Sequence, residues 1–134
     1  MAKYKKKLDA DIRCPLEYGL TVFGGKSGEY PQKLYKALMN SQTVLTVWDD
    51  ARLVGLIRVL DDSEMLAQIH YVLVHPEYQG QGIAGRMVEY IKEKYKNFMY
   101  LELMPEDKNN VPFYEKHGFH VMENGAAMQM CNIN

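Results

Sequence analysis

The chain has 134 residues, 47% hydrophobic and 25% charged, with 16 basic against 17 acidic residues and a net charge of −1. That length suits one domain with a genuine core, and the near-neutral balance excludes a broad basic surface for nucleic acid. No apolar run approaches a membrane span, and Leu8 to Arg13 is polar where a secretory signal would be apolar, so a cytoplasmic protein is expected.

In chain order, the basic run at 3–7 reads as a short solvated terminus. Cys14 and Cys131 match no metal spacing and read as reduced thiols, and no metal is expected. Leu16 to Phe23 predicts a short helix stopped by Gly24-Gly25, and Pro31 to Met39 a second, with proline at a first helical position. Thr43 to Trp48, a turn at Asp49-Asp50 and Leu53 to Leu60 predict a hairpin. A turn at Asp61 to Glu64 leads into a strand through Val74. The acidic residues of these two turns read as solvated.

Gly82 to Lys96 carries the clearest helical pattern, with Ile83, Met87, Ile91 and Tyr95 spaced by four. Phe98 to Met104 predicts a strand, and Asn110 to His117 a short helix closed by Gly118. Phe119 to Met122 and Ala127 to Cys131 predict two last strands, whose Ala127, Met128 and Met130 would suit a sheet-edge homodimer. The order implies an α/β class: one domain over 1–134 with a mixed, mostly antiparallel sheet flanked by helices. The long helix should return its next strand parallel. Residues 1–30 form an atypical N-terminal segment.

The most informative stretch is Tyr71 to Val88. It reads as a strand, a stop at His75-Pro76, a turn of Gln79, Gly80, Gln81 and Gly82, and the opening of the long helix. Such a turn aims unpaired N–H groups outward at the positive end of a helix dipole, where a phosphate or pyrophosphate is held without a lysine. A Rossmann fingerprint would need different glycine spacing and an acidic residue some twenty positions on.

The glycine turn is followed about thirty residues later by Val-Pro-Phe-Tyr-Glu-Lys-His-Gly-Phe at 111–119. A Gln/Arg-x-x-Gly-x-Gly/Ala loop and then a Phe-Tyr-x-x-x-Gly-Phe helix resemble the GNAT N-acetyltransferase superfamily, over roughly residues 31–131. The resemblance implies acetyl-CoA as cosubstrate. The backbone of Val72, Leu73 and Val74 would pair with the pantetheine arm along a strand edge splayed from the Phe98–Met104 strand. The amides of Gly80, Gln81, Gly82, Ile83, Ala84 and Gly85, after Gln79, would hold the pyrophosphate. Arg86 would add charge or stay a solvated helix residue. Asn109 is the nearest match to an asparagine that contacts CoA in some relatives.

Tyr114 matches the family's proton donor, with a core aromatic beside Phe113 and Phe119 as its other reading. A primary amine with a pKa near 10.4 is neutral in only about 0.04% of molecules at pH 7, so a base is needed before attack. Glu102 and His70 are candidates, and Gln68 could orient water. Cys14 to Lys26 also resembles the opening of HxlR-type winged-helix regulators. Ser27 stands where those carry tryptophan, and no recognition helix or wing follows. The expected activity is direct acetyl transfer from acetyl-CoA to a small-molecule or protein amine, with a non-catalytic CoA-binding module as the alternative.

Overall fold

The computed structural model describes residues 29–133 and, as main chain, residues 2–5. The helix expected at Leu16–Phe23, Cys14 and the stretch 14–26 lie outside the described residues. The elements are β1 (Ala2–Lys5), α1 (Pro31–Met39), β2 (Thr43–Asp49), β3 (Arg52–Asp61), β4 (Leu66–Val74), α2 (Ile83–Lys94), β5 (Tyr100–Leu103) and α3 (Val111–Lys116). The chain divides into two compact units at Leu103/Met104.

In the first unit the strands lie in the order β1-β2-β3-β4-β5, antiparallel up to β4 and parallel between β4 and β5. The mixed, mostly antiparallel α/β sheet expected from the sequence is present. β1 was not expected, because Lys3 to Lys5 reads as solvated terminus. Its main chain pairs with β2, with Ala2 opposite Asp49 and Lys5 opposite Thr46, and a ladder of backbone groups tolerates lysine at an edge.

Each face of the sheet is covered by a helix whose apolar stripe fits it. On one face Leu34 and Leu38 of α1 cluster with Val44, Trp48, Leu53 and Leu56, and Tyr71 and Leu73 of β4 pack against them. On the other, α2 buries Ile83, Met87, Val88 and Ile91. Side chains of that kind stabilise by about 1.5–3 kcal/mol each when fully buried. Tyr95, at the C-cap of α2, is 4% exposed. Its hydroxyl donates to Asp61 Oδ2 at 2.6 Å and accepts from Thr43 Oγ1 at 2.6 Å, which ties the end of α2 to β2 and β3.

In the second unit, Asp107 Oδ1 accepts from the Asn109 N–H at 2.9 Å and opens a 3₁₀ turn at Lys108–Asn110 that runs into α3. The α3 helix ends as a Schellman motif. The Phe119 N–H reaches Tyr114 O at 3.2 Å, the Gly118 N–H reaches Glu115 O at 3.1 Å, and Gly118 takes φ +94°. The two strands expected at 119–122 and 127–131 are not strands. A turn closes from the Gly125 N–H to Met122 O at 3.1 Å, but no ladder follows, and Met128 is 93% exposed. A lone pair of strands with no face to bury is marginal in water, so the strand edge on which a dimer was expected does not form.

Candidate active site

Between Arg58 and Val59 the β3–β4 register slips. Arg58 stands opposite Tyr71 and Val59 opposite Ile69, leaving His70 as the extra residue of a β-bulge. The parallel ladder to β5 runs from Leu66 opposite Tyr100 to Ile69 opposite Leu103 and ends there, where the bulge bends the strand. Beyond it, among the described residues, β4 pairs only with β3 through Val74.

Which backbone groups this leaves open follows from antiparallel alternation. The His75 N–H bonds Val54 O at 2.8 Å, continuing the register in which Leu73 faces Leu56. Leu73 therefore spends its N–H and C=O on β3, whereas Val72 and Val74 turn theirs to the edge that β5 has left. Of the three residues expected to offer backbone to a pantetheine arm, Leu73 is thereby committed to the sheet.

The loop after β4 is fastened at both sides. Arg52 forms an ion pair with Glu77 at 2.5 Å, and the Tyr78 hydroxyl donates to Asp49, so the β2–β3 hairpin tip holds the 3₁₀ turn Pro76–Tyr78. Asp49 thereby lifts the Tyr78 phenol above its ordinary pKa. The Gln79 carboxamide donates Nε2–H to Val74 O at 3.1 Å, so this first residue of the motif secures the loop to the strand end.

Gly80 and Gly82 both take φ +82°, the left-handed region that costs L-residues about 1–2 kcal/mol. A Cβ built on either would meet nothing within 4 Å, so the loop is glycine for its conformation and for the open space in front of it. Gly82 is the N-cap of α2, and no side chain caps that end. The first intrahelical bond is from the Arg86 N–H to Gly82 O at 3.1 Å, which leaves the N–H groups of Ile83, Ala84 and Gly85 directed out of the helix end. Gln81 and the Arg86 side chain are exposed. Open glycines, an uncapped helix start and a bare strand edge in continuous sequence fit a ligand that carries amides and then a diphosphate.

On the α1 face of the sheet lies a polar group around the bulge. Gln68 stands opposite both Leu60 and Glu102, which puts Glu102 on the same face as Arg58. Arg58 donates Nε–H to Ser41 Oγ at 2.7 Å, contacts His70 Nδ1 at 2.7 Å through Nη1, and lies 5.8 Å from the Tyr71 ring centroid. Guanidinium has no acceptor, so His70 Nδ1 must accept, and the neutral ring carries its proton on Nε2. In that tautomer the Nδ1 lone pair of His70 is engaged by Arg58, and Glu102 lies on the same face. Arg58 itself was missed in the sequence. A lone cation inside the apolar run Leu53–Leu60 was the signal that could have found it.

Tyr114 and Asn109 are carried by the second unit. Tyr114 packs edge-on against Phe113 and Phe119, with ring centroids 5.0 and 6.1 Å away, so it also serves as the apolar contact of the Schellman motif. Burial raises its phenol above the ordinary pKa, which keeps the hydroxyl protonated to higher pH. The Asn109 N–H is engaged by Asp107.

A family model for GNAT acetyltransferases matches residues 15–119. The chain belongs to the GNAT acetyltransferase family. An uncharacterised N-acetyltransferase of Bacillus methanolicus is 34% identical over 117 residues, which is 87% of this chain and 92% of that protein. A GNAT family acetyltransferase of Streptococcus pneumoniae superposes with TM-score 0.75 at 26% identity, covering 100% of this chain and 98% of that one. A family member from Elizabethkingia anophelis, solved with acetyl-CoA bound, shares the fold at TM-score 0.68 and 18% identity over 90% of this chain and 77% of its own. The chain spans 55% and 50% of the length of two other curated relatives that it matches. GNAT-fold acetyltransferases use acetyl-CoA as the donor. No helix among the described residues is long and apolar enough to cross a membrane.

Proposed function

We propose that this GNAT chain is an acetyl-CoA-dependent N-acetyltransferase that moves the acetyl group directly to a primary amine of a small molecule or protein. The observation that carries the reading is the run of open donors: the edge N–H groups of Val72 and Val74, then the left-handed glycines and the uncapped start of α2. Bound acetyl-CoA supplies a thioester carbonyl and a thiolate leaving group. Val72 and Val74 orient the arm, and the amides from Gly80 to Gly85 bind the diphosphate. Glu102 takes the ammonium proton of the acceptor, directly or through a water that Gln68 orients. Tyr114 donates a hydrogen bond or proton to the departing sulfur, an assignment that rests on the family motif. Asn109 takes a CoA contact on the same ground. Direct transfer is favoured because Cys131, the one free thiol among the described residues, sits on the exposed C-terminal segment. The reading places the enzyme in the cytoplasm.

The test measures thiol release from acetyl-CoA across a panel of amines, beside calorimetric titration with CoA. Turnover on any amine supports the reading. Tight CoA binding without turnover on any of them replaces it with a CoA-binding module on the same fold.

A further inference from the structure

Arg58 is a half-buried guanidinium with neutral partners. Ser41 Oγ takes its Nε–H, His70 Nδ1 takes its Nη1–H, and the Tyr71 ring lies beside it. Among the described residues no carboxylate forms an ion pair with it, and its Nη2 makes no hydrogen bond. Burial lowers its pKa, and among the described residues the one charge effect on it comes from Tyr71. Burying part of a cation without a counter-ion is unfavourable unless something else repays it. The three neighbours hold the fork in one orientation, which lowers the entropy cost of binding an anion. The bulge residue His70 supplies one of them, so the cation is held beside the place where β4 and β5 part.

Resting on the N-acetyltransferase reading, we infer that the acceptor is an amine bearing an anionic group, carboxylate or phosphate, which Arg58 binds on the α1 face while the amine end lies toward Glu102. The two residues have opposite charge and share one face. Gln68 stands between them, one strand across from Glu102, and opposite Leu60, two residues along β3 from Arg58. A zwitterionic acceptor matches that pairing, and an acceptor whose only charge is its ammonium leaves Arg58 uncompensated.

The experiment uses four probe amines: β-alanine and O-phosphoethanolamine, with propylamine and ethanolamine as counterparts that lack the anion. The Arg58 Nε–H signal, identified by its disappearance in Arg58→Lys, is followed by NMR in the full chain during titration with each. Acetyl transfer to the same four is measured at saturating acetyl-CoA. The signal is expected to move with an anionic amine only, the stronger of the two revealing whether carboxylate or phosphate is preferred. The kcat/KM for that amine should exceed its counterpart's by about ten- to a hundredfold, the worth of a charge-assisted hydrogen bond. Arg58→Gln should remove that preference through KM, with Arg58→Lys restoring part of it. An Arg58 signal unmoved by both anionic amines overturns the inference, whether or not transfer occurs. Transfer with equal kcat/KM for all four overturns it too and leaves the N-acetyltransferase reading standing. A moved signal without transfer to any amine supports the anion site and counts against the transferase reading.

Discussion

Val72 and Leu73 are neighbours on β4 whose backbones serve opposite edges: Leu73 bonds to Leu56 of β3, and Val72 faces the side where the β5 ladder has already stopped at Leu103. The His70 bulge separates the two regimes. Before it, the strand is paired on both sides; after it, among the described residues, it is paired on one.

The glycine turn gives the most direct prediction. Gly82→Glu places a carboxylate in the space before the α2 amides and strains a backbone held at φ +82°. CoA affinity by calorimetry should fall by more than about tenfold, the sum of charge repulsion and about 1–2 kcal/mol of conformational cost. Gly82→Ala should show the conformational part alone. Undiminished affinity in Gly82→Glu would move the diphosphate elsewhere.

Gly55 links the sheet to that turn. A Cβ there would stand 3.1 Å from Ile83 Cγ2 and 3.3 Å from Val47 Cβ. Gly55→Ala should destabilise the protein by about 1–3 kcal/mol in urea unfolding, as overpacking does. Because Ile83 is the first residue of α2, KM for acetyl-CoA should rise as well.

Tyr114→Phe should lower kcat by about a hundredfold while CoA affinity changes little, the pattern of a lost proton donor. Burial raises this phenol, so wild-type activity should show no alkaline loss from Tyr114 until above pH 10. An unchanged kcat would leave Tyr114 as the Schellman contact of Phe119 and nothing more.

Tyr95 is a structural counterpart. Its burial and its bond to Asp61 raise the phenol to about 12. A group raised in the folded state contributes stability that is complete below its unfolded value of about 10 and is lost as pH climbs through 12. The melting temperature should therefore drop more steeply between pH 10 and 12 in the wild type than in Tyr95→Phe. That variant should also cost about 1–3 kcal/mol at neutral pH, because Asp61 and Thr43 lose a partner.

Local chemistry made much of this legible in the sequence. Pro31 at a first helical position marked α1, the four-residue spacing from Ile83 to Tyr95 marked α2, and the glycine turn marked the ligand loop, because each signal acts within one or two turns of chain. The same local logic failed at Phe119–Met122 and Ala127–Cys131, where the pattern resembles strand but no partner buries a face. It also missed β1, whose pairing with β2 joins residues more than forty positions apart.

The sequence alone determined the α/β class, the glycine turn at the head of the long helix and the family to which they point. Only the tertiary structure decided that His70 bulges, that β5 leaves β4 after Ile69, that Leu73 is taken by β3, and that Arg58 stands among neutral partners. Those outcomes depend on register between strands and on side chains from β2, β3 and β4 meeting on one face. No window of consecutive residues contains such contacts.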